Sequence, residues 1–205
     1  MLYAQMFRDA AADIELGDVV ETTSGGTPSR KHEEYYENGA INWVKSKELI
    51  GSYIMDTEEK ITDVAICNSS AKILPTHSVL IAMYGATVGA YGITSKPMAC
   101  NQAICALLHN DKYPSTYLFQ NAKESQQQLI NMAVGSAQQN VSQVLIKQLK
   151  VHSCIDVISK FHLITQPIHE KMEQLTIENG NLVQLRNTLL PKLMSSELDV
   201  SNIDL

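Results

Sequence analysis

Apolar residues return at every seventh position in the last quarter of the chain. A partly polar column that contains Met172 and Asn179 lies three residues before this apolar column. Such a heptad pattern is typical of a helix that packs along a partner helix, because one helix cannot bury a continuous apolar stripe against itself. At about 1.5 Å per residue the helix is roughly 50 Å long. The predicted dimerisation residues are Phe161, Ile168, Met172, Leu175, Asn179, Leu182 and Leu189.

Short apolar runs separated by turns fill the first three-quarters of the chain. The run 41–44 alternates apolar and polar residues as a half-buried strand does, and two runs joined by residues 84–87 predict a β-hairpin. Helices are expected from near Pro114 to Gly135 and over 142–148. The predicted strands cover residues 16–20, 41–44, 78–83, 88–93, 103–108 and 149–153.

Irregular alternation of these strands with short helices favours an α+β fold over a doubly wound sheet. The sequence thus predicts two parts. Residues 1–153 form a globular domain built on a mixed β-sheet with short helices. Residues 154–205 form one long C-terminal coiled-coil helix, which acts as a spacer and a dimerisation arm.

The composition is that of an ordinary soluble protein, with 44% hydrophobic and 19% charged residues. No apolar stretch is long enough to span a membrane, and Cys67, Cys100, Cys105 and Cys154 lack metal-type spacing. We therefore expect reduced thiols and a cytoplasmic location. The net charge is −6, whereas a generic nucleic-acid binder is basic. A role in nucleic-acid binding requires positive charge concentrated in one place, or a basic partner.

The sequence contains no pattern that indicates an enzyme. Three glycines between residues 85 and 92 do not have the spacing of a nucleotide-binding loop, and no nucleophile elbow is present. His162 and His169 are expected on a surface or seam rather than at a metal. An acidic cluster over 56–63 is interpreted as a solvated turn. We predict no catalytic residue, no metal site and no cofactor bound by this chain.

A first polar segment follows two glycines and combines hydroxyls with cations. It contains Thr27, Ser29, Arg30 and Lys31. Hydroxyls and backbone N–H groups bind phosphates, and cations add a salt-dependent attraction to DNA. The segment therefore predicts a phosphate-binding loop. An exposed turn with incidental charge is the alternative.

Two further polar segments have the residue types of a DNA-binding loop. Lys45 and Lys47 follow Trp43, the single tryptophan of the chain. The alternative is that Trp43 is a core residue that is followed by a surface turn. A third segment, over 135–142, is rich in amides that offer donors and acceptors to base edges. It is alternatively a loop whose Ser142 caps the next helix. Its candidate DNA-binding residues are Ser136, Gln138, Gln139 and Asn140.

The order of these segments resembles that in a known family, the DNA specificity subunits of type I restriction–modification systems. The landmarks that carry the resemblance are residues 24–29, 41–44, 85–89, 101–103, 135–142 and, at the end of the spacer helix, 185–195. Family members typically hold two recognition domains and two spacer helices, and this chain has one of each. Within or directly beside these landmarks, Tyr84, Thr87, Asn101 and Gln102 are further candidates for reading bases.

The resemblance implies sequence-specific recognition of double-stranded DNA by a non-catalytic subunit. Methylation subunits and, through them, restriction subunits would carry catalysis, with S-adenosylmethionine, ATP and Mg²⁺. Two copies with antiparallel arms would rebuild a two-domain subunit as a homodimer that reads a bipartite, palindromic site. The alternative is a protein–protein module, either a truncated or silent recognition cassette or an anti-restriction decoy. A stand-alone methyltransferase or nuclease is disfavoured by the missing motifs.

Overall fold

The computed structural model describes residues 2–134 and 140–195. The helices are α1 (Leu2–Met6), α2 (Leu16–Val19), α3 (Asp63–Cys67), α4 (Ser115–Val134), α5 (Gln143–Lys147) and α6 (Ile155–Met194). The strands are β1 (Ala12–Glu15), β2 (Glu21–Ser24), β3 (Ile41–Val44), β4 (Tyr53–Ile54), β5 (Lys60–Ile61), β6 (Val79–Ala82), β7 (Tyr91–Thr94), β8 (Ala99–Cys100), β9 (Ile104–Leu108) and β10 (Lys150–His152). Single 3₁₀ turns cover Glu33–Tyr35, Ser46–Glu48 and Gly85–Thr87.

The strands form three sheets. The largest has the order β2-β9-β6-β7-β4, a second has the order β5-β3-β8, and β1 pairs with β10. The predicted hairpin is the antiparallel pair β6–β7, whereas β4–β7 and β3–β8 are parallel. The predicted α+β class, with mixed sheets, short helices and a long C-terminal helix, is confirmed.

The prediction of a strand over residues 16–20 is wrong. Residues Leu16–Val19 form α2, and the backbone N–H of Val20 donates to the carbonyl of Leu16 at 2.9 Å. Leu16 and Val20 are both buried in the main core. Their spacing of four residues fits one face of a helical turn. A run of five residues is too short for its periodicity alone to distinguish these two structures.

The central strand β6 separates two hydrophobic cores. Val79 and Ile81 face the main core, which also contains α4, whereas Leu80 and Ala82 face a second core. A strand buried on both faces has an unbroken apolar sequence, as β6 has. A third, smaller core surrounds Trp43.

The long helix α6 runs for 40 residues, but its first turns belong to the main core of the domain. Ile158 is buried, and Phe161 is only 3% exposed. The ring of Phe161 packs 5.6 Å from that of Tyr3 and 5.8 Å from that of Phe7, between ring centres. The prediction that Phe161 contacts a partner helix is therefore wrong, because α1 of the same chain already covers this side chain.

Candidate nucleic-acid interface

Three polar loops are held together by a close approach of their backbones at one end of the sheets. The N–H of Gly26 donates to the carbonyl of Cys100 at 3.0 Å, and the N–H of Asn101 donates to that of Val44, also at 3.0 Å. A Cβ atom on Gly25 would lie 2.0 Å from the carbonyl oxygen of Cys100. Only glycine fits this approach, so the two glycines before the first polar segment have a packing role.

Two more loops join the same end through further backbone hydrogen bonds. The N–H of Met83 donates to the carbonyl of Ala103, and the N–H of Val141 donates to that of Met83, both at 2.8 Å. Tyr84 and Asn140 form an isolated antiparallel bridge. The polar segments therefore converge, and we call their common surface the loop edge. The loop edge comprises residues 24–31, 44–47, 84–87, 100–103 and 140–142.

The predicted base-reading side chains at the loop edge differ in their hydrogen bonding and exposure. The side-chain oxygen of Asn101 accepts from the N–H of Ala103 at 3.1 Å, and the hydroxyl of Thr87 donates to the carbonyl of Tyr84 at 3.1 Å. These two side chains therefore stabilise turns. Tyr84 and Gln102 are exposed, and the hydroxyl of Thr27 contacts the side-chain oxygen of Gln102. Three further candidates lie outside the described residues, namely Ser136, Gln138 and Gln139.

Three of the four predicted phosphate-binding cations lie together, each paired with a carboxylate. Glu59 contacts Arg30 at 2.5 Å and Lys45 at 2.7 Å. Glu58 contacts Lys47 and lies 3.6 Å from Lys45. We call these five residues the charge network. The acidic segment that was interpreted as a solvated turn is exposed at Asp56, Glu58 and Asp63, and the fold also brings Glu58 and Glu59 against cations that are distant in sequence.

Trp43 lies against two cations of this network, Arg30 and Lys45. It is 3% exposed, and its indole N–H donates to the carbonyl of Gly26 at 3.0 Å. The guanidinium of Arg30 lies 4.2 Å from the ring centre of Tyr36 and 5.6 Å from that of Trp43, and the ammonium of Lys45 lies 5.9 Å from the latter. Of the two interpretations of Trp43, the core residue is the one observed. Cation–π contacts fix the positions of the cations above it.

The ion pairs favour the ionised forms of Glu58, Glu59 and Lys47. Hydrogen bonding to Lys45, and then to Arg30, holds the pKa of Glu59 below its usual value against the opposing effect of partial burial. Lys47 lowers the pKa of Glu58, and Glu58 in turn raises the pKa of Lys47. The fourth cation, Lys31, is exposed and makes no ion pair within residues 2–134 and 140–195.

Two histidines join α6 to the preceding globular domain. His162 Nδ1 lies 2.9 Å from the hydroxyl of Thr116, and His169 Nδ1 lies 3.2 Å from that of Tyr53. Burial lowers the pKa of both imidazoles, because it disfavours their charged forms. Within the described part of the chain, no cluster of three or more His, Cys, Asp or Glu side chains has the arrangement of a metal site.

Beyond these contacts, α6 presents an uncovered apolar face. The predicted seam residues Ile168, Leu175, Leu182 and Leu189 are exposed, Met172 is half-buried against the main core, and Asn179 is exposed. In the distal half of α6 the exposed apolar face is wider than the predicted seam. The sequence prediction missed this because it followed a single heptad column. The exposed apolar residues outside the predicted seam in this half are Ile177, Val183, Leu185, Leu190, Leu193 and Met194. In the described residues no helix combines the length and apolar character needed to cross a membrane.

Comparisons with known proteins agree with the fold. The family model of the type I restriction modification DNA specificity domain matches residues 10–154. The chain is 27% identical over 188 residues to the HindI specificity subunit of Haemophilus influenzae, with 89% of this chain and 40% of that protein covered. It is 22% identical over 168 residues to the EcoR124I/EcoR124II specificity subunit of Escherichia coli, with 76% and 42% covered.

A solved structure shares the fold. The S subunit of a type I restriction–modification system from M. genitalium superposes with a TM-score of 0.67 at 17% identity, and the match covers 94% of this chain and 48% of that one. The chain thus spans less than half the length of these relatives. The predicted resemblance to the type I specificity family is confirmed by the family match. Since the match extends over most of its length, the chain belongs to the family of type I restriction modification DNA specificity domains.

Proposed function

We propose that this chain recognises double-stranded DNA through its loop edge, as the specificity subunit of a type I restriction–modification complex. The observation that carries this proposal is the convergence of polar segments from distant parts of the sequence on one surface. Short backbone hydrogen bonds fix the loops relative to one another, and a surface that reads DNA needs such rigidity because base contacts depend on geometry.

The contacts divide by chemistry into two groups. Cations and hydroxyls bind phosphates and set position and orientation, whereas amides and exposed aromatic groups read base edges. The proposed phosphate-binding residues are Thr27, Ser29, Arg30, Lys31, Lys45 and Lys47. The proposed base-reading residues are Tyr84, Gln102, Gln138, Gln139 and Asn140. Asn101 and Thr87 shape the turns that carry Gln102 and Tyr84. Ser136 is a further proposed DNA-binding residue.

The uncovered face of α6 supports homodimerisation. A second copy with an antiparallel arm covers Ile168, Leu175, Leu182 and Leu189, and Asn179 restricts the register in which the two helices pair. Two recognition domains at a fixed separation then read a bipartite, palindromic site. The apolar residues outside this seam, among them Val183 and Leu190, are the surface for methylation subunits. Those subunits bring S-adenosylmethionine, and restriction subunits bring ATP and Mg²⁺.

Salt-dependent binding to duplex DNA tests this function. For a random-sequence duplex, the logarithm of the binding constant K should fall linearly with the logarithm of the salt concentration. A chain that binds methylation subunits but shows no salt-dependent DNA binding is the protein–protein module instead. Mapping of methylated sites in cells that express this chain with its methylation partner then gives the recognised sequence. A bipartite palindrome is the expected result for the homodimer.

A further inference from the structure

The charge network sets two carboxylates against three of the four proposed phosphate-binding cations. Glu59 bridges Arg30 and Lys45, and Glu58 bridges Lys45 and Lys47. The network therefore has a net charge of about +1 and not +3. A phosphate that approaches these cations meets carboxylates that already occupy their N–H groups.

Backbone contacts keep both carboxylates beside the cations. The N–H of Glu58 donates to one side-chain oxygen of Glu48 at 2.8 Å, and the other oxygen of Glu48 accepts from the N–H of Lys45 at 2.7 Å. The carbonyl of Glu59 accepts from the N–H of Trp43 at 3.2 Å. The acidic segment is thus attached to the strand and turn that carry the lysines. These hydrogen bonds hold its negative charge beside Lys45 and Lys47.

We propose that Glu58 and Glu59 are internal counterions that compete with DNA phosphate for Arg30, Lys45 and Lys47 and so keep non-specific DNA binding weak. This inference rests on the proposed DNA-binding function. Non-specific binding comes almost entirely from phosphate neutralisation, whereas base contacts are made only at the correct site. Since the carboxylates reduce the electrostatic contribution, base contacts supply a larger share of the binding free energy.

The experiment measures binding of the full chain to a random-sequence duplex over a range of salt concentrations. The variants are Glu58→Gln, Glu59→Gln and both together, which remove charge while they keep the shape of the side chain. The matched control is Asp18→Asn. Asp18 lies in α2 beside Asn110, at the opposite end of β2 and β9 from the loop edge. The control removes one negative charge from the chain without a change in the charge network.

Each glutamine variant should steepen the slope of log K against log salt by about 0.9, and the double variant by about 1.8, because each adds one unit of positive charge near phosphate. Affinity at low salt should rise about two- to fivefold for each change, the range expected when one exposed ion pair is released. The Glu58 side chain is 59% exposed, so Glu58→Gln tests the proposal even if Glu59→Gln impairs folding.

The outcomes separate this inference from the proposed function. If Lys47→Ala flattens the wild-type slope while the glutamine variants match Asp18→Asn, DNA binding stands and competition by the glutamates is overturned. Weaker binding by the glutamine variants also overturns it, because the carboxylates then orient the cations for DNA. If the wild type shows no salt-dependent binding at all, the proposed function fails and this inference fails with it.

Discussion

Replacement of Leu175 and Leu182 by aspartate tests the proposed homodimer most directly. The two leucines are 44% and 54% exposed in the single chain. Full burial of a leucine side chain contributes about 1.5–3 kcal/mol, so covering the exposed half of each contributes about 1 kcal/mol. Two leucines in each of two chains give about 4 kcal/mol, which corresponds to roughly a thousandfold change in Kd. Aspartate at a buried seam adds a desolvation penalty to this loss.

Sedimentation velocity at tens of micromolar measures the result. The wild type should sediment as a dimer, and Leu175→Asp/Leu182→Asp as a monomer near 22.7 kDa. The matched control is Gln174→Asp/Asn181→Asp, since both residues are exposed one position before each leucine and point away from the seam. The control adds the same charge and should remain dimeric. A monomeric wild type, or a leucine variant that stays dimeric, refutes the reasoning.

Further predictions concern the loop edge and helix α6. Lys31→Ala should flatten the slope of log K against log salt by about 0.9, and an unchanged slope assigns Lys31 to the solvated surface. Gln102→Ala should relax sequence preference by roughly 1–3 kcal/mol at one base pair, while non-specific affinity stays the same; methylation-site mapping with an unaltered motif would contradict this. Gly25→Ala should lower the free energy of unfolding in urea by about 3 kcal/mol because its Cβ meets the Cys100 carbonyl, whereas Gly180→Ala, with nothing within 4 Å, should stabilise α6 by about 0.5–1 kcal/mol. Burial lowers the pKa of His169 in the folded chain, so the unfolded chain binds protons more readily and stability should fall as the pH drops below about 6.5. His169→Gln should lose less stability over this pH range. If the melting temperatures of the two proteins fall equally between about pH 7.5 and 5.5, His169 does not cause the loss.

The sequence by itself determined the fold class, the long helix and most strands. These features follow from local periodicity, which depends only on neighbouring residues. Heptad spacing predicted α6, and alternation predicted β3 and the hairpin β6–β7. The region 16–20 was the exception, because a single turn of helix and a short strand place Leu16 and Val20 equally well in a core. Family membership could also be predicted from the sequence, since the prediction rests on the order of short motifs and not on their contacts.

The tertiary structure alone decided which partner each side chain has. Phe161 has the spacing of a seam residue, yet α1, from the far end of the chain, covers it. Asn101 has the chemistry of a base reader, yet its side chain holds its own turn. The pairing of Lys45 with Glu59 joins residues that no local pattern links, because the antiparallel pairing of β3 with β5 brings their segments together. Periodicity specifies which face of an element is buried, but the surface that covers that face is set by contacts between distant segments.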